Sequence, residues 1–236
     1  MKTRLLLLVA LLTACGSNPE SRVYLAAASS TTEVSHAFVA EYNAANPSIS
    51  IALQNDASSR LRTQIQHGAR ADVFLSAHPD QIDLLEQRVI ERSVWGGDQL
   101  VVALAKDNPR GLQTVADLHR PGVRIVRAED AVPAGKYALQ WLEKIDPEVR
   151  RAIEKNVISL ESNVRQVRAK LLLGEVDAAF MYRSNLEELP WLENGPVVHT
   201  TLELALLNTR PESQSVYRAL LKIPKLLRQH GFEALK

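Results

Sequence analysis

Two serine pairs hold the first chemistry legible in the chain. Ser29-Ser30 follows the apolar run at residues 23–28, and Ser58-Ser59 follows the alternating segment at residues 49–53. Each pair then leads into a helical pattern. A helix start exposes unpaired backbone N–H groups and a partial positive charge. A serine hydroxyl beside it completes a donor set for an oxyanion. Plain N-capping accounts for either pair taken alone, because Ser is a preferred cap. Ser30 and Glu33 even have the S-x-x-E spacing of a capping box. Two such junctions at strand ends within sixty residues favour the anion, without deciding it.

Other chemistries lack their residues. There is no G-x-S-x-G elbow, H-E-x-x-H, Walker loop or G-x-G-x-x-G. The histidines at 36, 67, 78, 119, 199 and 230 have no zinc spacing. Ser29 as the nucleophile of an exported hydrolase would need a His and an acid, which the sequence does not indicate. The single cysteine excludes an internal disulfide or a Cys-rich metal site. With 28 Lys+Arg against 27 Asp+Glu, and 5% aromatics, the chain carries no basic excess and little stacking surface for nucleic acid.

The elements that would position the serines alternate. A strand at residues 23–28 precedes a helix carrying Val34, Phe38 and Tyr42 on one face. A second strand follows at residues 49–53, then a short helix with Leu61 and Ile65, a strand at 73–75 and a helix at 81–87. Beyond it, strands are predicted at 100–105, 123–126, 178–182, 197–198 and 202–207. Helices are expected from Ala134-Gly135, at 164–173 and at 216–227, with a short helix or turn at 112–118. Such alternation implies an α/β fold with mostly parallel sheets flanked by helices. It suggests two lobes, with a ligand cleft beyond the strand ends.

The N-terminus reads as an export signal. Lys2 and Arg4 precede the apolar run at residues 5–12, which is too short to span a bilayer, and small residues follow. The segment Leu12-Thr13-Ala14-Cys15-Gly16 resembles a lipobox, which makes Cys15 the expected lipidation site and residues 1–14 a removed signal peptide. Losing Lys2 and Arg4 would turn the formal charge from +1 to −1. Residues 15–22 read as a polar tether.

Seven segments then occur in an order with a family behind it. They are Leu25-Ala26-Ala27-Ala28-Ser29, Ala57-Ser58-Ser59, residues 71–77, Val132-Pro133-Ala134-Gly135-Lys136-Tyr137-Ala138, Asn163-Val164-Arg165, Phe180-Met181-Tyr182-Arg183-Ser184 and Gly231-Phe232. Together, from residue 23 to about 233, the chain resembles the bacterial molybdate-binding proteins that serve ABC importers. The resemblance implies a two-lobed periplasmic-binding-protein fold, with residues 23–100 and 203–236 as lobe I and 101–202 as lobe II. It implies an oxyanion site made by the hydroxyls of Ser29, Ser58 and Tyr182 and the backbone N–H groups of Ala134 and Val164. The ligand would be molybdate or tungstate, with no cofactor and no catalysis. The partners would be a permease and an ATPase, and the membrane would be met only through the lipid on an otherwise monomeric, exported protein. Other tetrahedral oxyanions, such as sulfate, thiosulfate or phosphate, are the alternative ligands. An ion sensor would need an output domain, which the sequence does not show. Two positions depart from the family pattern. Asn163 stands where an acid is commoner, and Arg60 follows the second serine pair and is expected to face solvent. Tyr137, Trp95, Trp141 and Trp191 read as packing residues.

Overall fold

The computed structural model describes residues 21–234. The signal, Cys15 and most of the tether lie outside them. The described chain folds around one eight-stranded sheet of order β2-β1-β3-β8-β4-β7-β5-β6. Its strands are β1 (Arg22–Ala28), β2 (Ser50–Asp56), β3 (Val73–Ser76), β4 (Glu91–Leu104), β5 (Ile125–Ala128), β6 (Val157–Glu161), β7 (Ala178–Tyr182) and β8 (Val198–Leu206). The helices are α1 (Thr32–Ala45), α2 (Ser58–Gln66), α3 (Pro79–Asp83), α4 (Pro133–Leu142), α5 (Pro147–Lys155), α6 (Val164–Leu172), α7 (Pro211–Leu220) and α8 (Pro224–Gln229).

Two parallel groups sit at the ends of the sheet. β2, β1 and β3 form one, and β7, β5 and β6 the other. Between them run β4 and β8, antiparallel to each other and to their neighbours. The end of β8 lies between β3 and the start of β4, whereas Leu100–Leu104 of β4 pairs with β7. A bulge between Val94 and Gly96 marks the change, and bulges bend and twist a strand. Gly96 and Gly97 are glycine for a packing reason. A Cβ on either would stand 3.1–3.2 Å from Glu233, whose backbone pairs with Gly97.

The apolar residues divide accordingly. Val23, Leu25, Phe38, Tyr217 and their neighbours pack about the first parallel group, with Phe74, Leu61 and Ile82 in a smaller cluster beside them. Val101, Ile125, Trp141, Phe180 and Val167 pack about the second. Ala28, Ala57 and Ala77 come from the first group but join the second core. Those three alanines therefore mark the seam.

Several expectations change. The strand expected at residue 100 begins at Glu91, because Gly96-Gly97 breaks the alternation without ending the ladder. The strands expected at 197–198 and 202–207 are one, β8. The helix at 216–227 is two, because Pro224 lacks the N–H that would continue it. The expected helix at 81–87 is α3 followed by a separate 3-10 turn at Glu86–Arg88. α5 and β6 were not anticipated; β6 is an edge strand with Ile158 and Leu160 exposed, so its pattern lacks a buried stripe.

Candidate oxyanion site

The three alanines at the seam each sit beside a candidate donor. β1 ends at Ala28, and a 3-10 turn at Ser29–Thr31 leads into α1. β2 ends at Asp56, and Ala57 leads into α2 at Ser58. Val132 leads into α4 with Pro133 and Ala134, and Asn163 into α6 at Val164. Tyr182 ends β7. All five predicted residues, Ser29, Ser58, Ala134, Val164 and Tyr182, line one small cavity, together with Ala28, Ser30, Ala57, Ala77, Val132 and Pro133. It is small, closed down to the space of about one water molecule. All five are buried, Ser58 at 1% and Tyr182 at 2% exposed.

The polar groups here are donors held ready. Ala77 N–H donates to Ser58 Oγ at 3.1 Å. That bond occupies a lone pair, so the serine's own hydrogen remains to be donated. Tyr182 Oη is buried with no hydrogen-bond partner among the described residues, a condition that costs about 1–3 kcal/mol. Burial pushes its pKa well above the ordinary 10, so the phenol keeps its proton. Tyr137 packs edge-on against it, ring centroids 6.3 Å apart.

The helix starts are open as well. Neither the turn at Ser29, nor α2, nor α4 has a side chain capping it, and their N-cap residues are Ala28, Ala57 and Val132. At α6 the Asn163 side chain accepts from Gln166 N–H at 3.0 Å, which leaves the N–H of Val164 free of that cap. Asn163 thus caps α6 without adding a charge. The lining contains no Asp, Glu, His, Lys or Arg.

Gly135 explains how α4 comes so close. A Cβ there would stand 2.0 Å from the Glu129 carbonyl oxygen. Only glycine lets the first turn of α4 lie against that loop and bring Ala134 to the cavity.

The surroundings correct some expectations. The Ser30–Glu33 capping box does not form; α1 has no side-chain cap. Glu33 reaches across instead to Arg165 on α6, at 2.6 Å. A second charge pair, Lys136 of α4 with Asp80 of α3 at 2.6 Å, joins the halves elsewhere. Asn185 Nδ2 donates to Ser30 O at 3.0 Å. Arg60 stays out of the cavity, half exposed and 3.3 Å from Asp56 on its own side. Ser30 lines the cavity as well, beside Ser29, which is the member of that pair that the family resemblance assigns to the site. Ala77 had no signal, since only the fold brings its N–H to Ser58.

The chain resembles known proteins along most of its length. A family model described as bacterial extracellular solute-binding protein matches residues 23–221. The molybdate-binding protein ModA of Mycobacterium tuberculosis is 31% identical over 193 residues, covering 76% of this chain and 72% of that one. Among solved structures, the periplasmic molybdate-binding protein of Azotobacter vinelandii aligns with a TM-score of 0.75 at 14% identity, over 91% of this chain and 100% of the other. The sulfate-binding protein SubI of M. tuberculosis aligns with a TM-score of 0.79 at 16% identity, over 92% and 88%. The fold is therefore the two-lobed one of periplasmic binding proteins, and the chain belongs to the family of bacterial extracellular solute-binding proteins.

Proposed function

We propose that this protein is the substrate-binding component of an ABC importer, and that it captures molybdate or tungstate between two lobes and hands it to a permease driven by an ATPase. The carrying observation is the convergence of open helix starts and an unpartnered Tyr182 hydroxyl on a cavity with no charged side chain. In this reading Ser29, Ser58 and Tyr182 donate through hydroxyls, and Ala134 and Val164 through backbone N–H. The ModA likeness supports the choice of ion. A donor-only wall suits a fully deprotonated dianion. A monoprotonated phosphate would leave its O–H without an acceptor, at a cost of about 1–3 kcal/mol. Dipoles in place of Lys or Arg hold the ion without a permanent partner charge, which favours its release at the permease.

The lobes would be residues 23–100 with 203–236, and 101–202, with β4 and β8 crossing between them. Closure by bending at the crossings is an established mode. Cys15 would carry the lipid, holding a monomeric domain at the outer face of the cytoplasmic membrane or in the periplasm. A hydrolytic role for Ser29 lacks support, because the cavity wall offers no base to activate it.

Sulfate is the second reading, favoured by the likeness to SubI. Calorimetry against molybdate, tungstate, sulfate and phosphate separates them. Tight binding of the first two alone is expected. Preference for sulfate would replace the reading, and binding of none would end it.

A further inference from the structure

A buried carboxylate stands behind the site. Asp98 lies on β4 just past Gly96-Gly97, at the crossing between the two halves, and is 3% exposed. Its Oδ1 accepts from Gln99 N–H at 2.7 Å and from Ser184 N–H at 3.3 Å. Ser184 is two residues beyond Tyr182, and Leu100, two residues along from Asp98, pairs with Tyr182 in the ladder. Asp98 thus anchors the turn that follows the buried tyrosine. Its other oxygen, Oδ2, is buried and makes no well-formed hydrogen bond among the described residues, although the Ser184 side chain lies near enough to the carboxylate to favour its charged form.

Among the described residues no cation forms an ion pair with it. Tyr182 of β7 faces it, and its negative charge acts on that phenol. Glu233 of the C-terminal segment adds like charge. Thr200 of β8 is its partner in the ladder and is neutral. Arg183, beside Ser184, is turned onto the Trp191 ring at 5.5 Å. His199, opposite Gln99, is exposed. Burial pushes the Asp98 pKa up to about 6, against the Ser184 and Gln99 hydrogen bonds that lower it. It is charged at neutral pH, but a modest further push neutralises it.

A dianion bound beside Tyr182 would supply that push, since charges in a desolvated site repel strongly. We propose that Asp98 takes up one proton from solvent as the anion binds, so that capture is proton-coupled and Asp98 governs its pH dependence. The step makes one O–H bond at the carboxylate and moves no electrons. It rests on the oxyanion reading above, and it makes Asp98 a positioning residue for Tyr182 that also tunes retention.

The test is calorimetry of the purified protein with molybdate at several pH values from 5.5 to 8, each in two buffers of different protonation enthalpy. The expected result is affinity that falls as pH rises, by at most about ten-fold per pH unit, with net proton uptake. Asp98→Asn keeps an acceptor for both N–H groups. It should bind with no proton uptake and a flat pH profile, and at pH 8 at least as tightly as the native protein. A carboxyl-carbon NMR titration of the native protein gives a readout free of any folding defect: the Asp98 midpoint should rise on adding tungstate. A flat native profile, a sloped Asp98→Asn profile, or an unmoved midpoint would overturn the proposal. Absence of molybdate and tungstate binding at every pH would overturn the oxyanion reading instead, and this one with it.

Discussion

The helix starts that meet the cavity differ from those that meet solvent. At the surface, Asp146 caps α5 by accepting from Glu148 and Val149 N–H at 2.8 and 3.2 Å. Asp117 accepts from Gln113 and Thr114 N–H at the 3-10 turn Val115–His119. Acids occupy the first turns of α3, α5 and α7 as Asp80, Glu148 and Glu212, whereas the short α8, also away from the cavity, has neither an acid nor a side-chain cap. At the cavity, the 3-10 turn at Ser29, α2, α4 and α6 have no acid in the first turn. A carboxylate is the usual complement of a helix N-terminus. Its omission at four starts that converge reads as space kept for another anion. α1 is the exception that fits, because its Glu33 is drawn away by Arg165.

The strongest way to break this contrast is Gly135→Ala. The added Cβ meets a backbone oxygen that cannot yield cheaply, so α4 must shift. Denaturant unfolding should show a loss of about 1–3 kcal/mol, and calorimetry a loss of molybdate binding of 100-fold or more. Unchanged binding would mean that the start of α4 does not serve the ion.

Tyr182→Phe comes next and should separate binding from stability. It removes a hydroxyl that has no partner, so the unliganded protein should be as stable as before or slightly more so. Molybdate binding should weaken by about 10-fold or more, the value of a lost hydrogen bond to a charged group. A parallel loss of stability would point to a packing role. Ser29→Ala should behave in the same way.

Asp146→Ala supplies the opposite member of the comparison. Thermal or denaturant unfolding should report about 1 kcal/mol lost with the cap, while calorimetry shows unchanged affinity. The smallest effect belongs to the Glu33–Arg165 pair. Burial raises the Glu33 carboxyl and the Arg165 guanidinium lowers it further, leaving it below its usual 4.5. The lowered value means that the pair is intact at neutral pH and is lost as pH falls through it. Both partners are half exposed, so the pair is worth at most about 1 kcal/mol. Glu33→Gln should speed molybdate release a few-fold in stopped-flow at low salt, and the difference should shrink in high salt.

The legible part of the site is that set by local pattern. Ser29 and Ser58 are each found from a strand signal, a hydroxyl and a helix signal in succession. Glu33 shows where local reading fails. Its spacing to Ser30 suits a capping box, yet Arg165 is the stronger partner and arrives only with the fold. Asp98 is harder still, because one acid after two glycines carries no pattern.

What the sequence by itself determined are most of the strands and helices of the parallel groups, α5 and the edge strand β6 excepted, and the hydroxyls and small residues at their junctions. These follow from periodicity and from turn chemistry, which act over a few residues. The tertiary structure alone decided that β4 and β8 would run antiparallel through the middle of the sheet. It also left Tyr182 Oη without a partner and buried Asp98 beside it. Register and desolvation depend on segments a hundred residues apart, and no local pattern encodes the company a side chain keeps once water is gone.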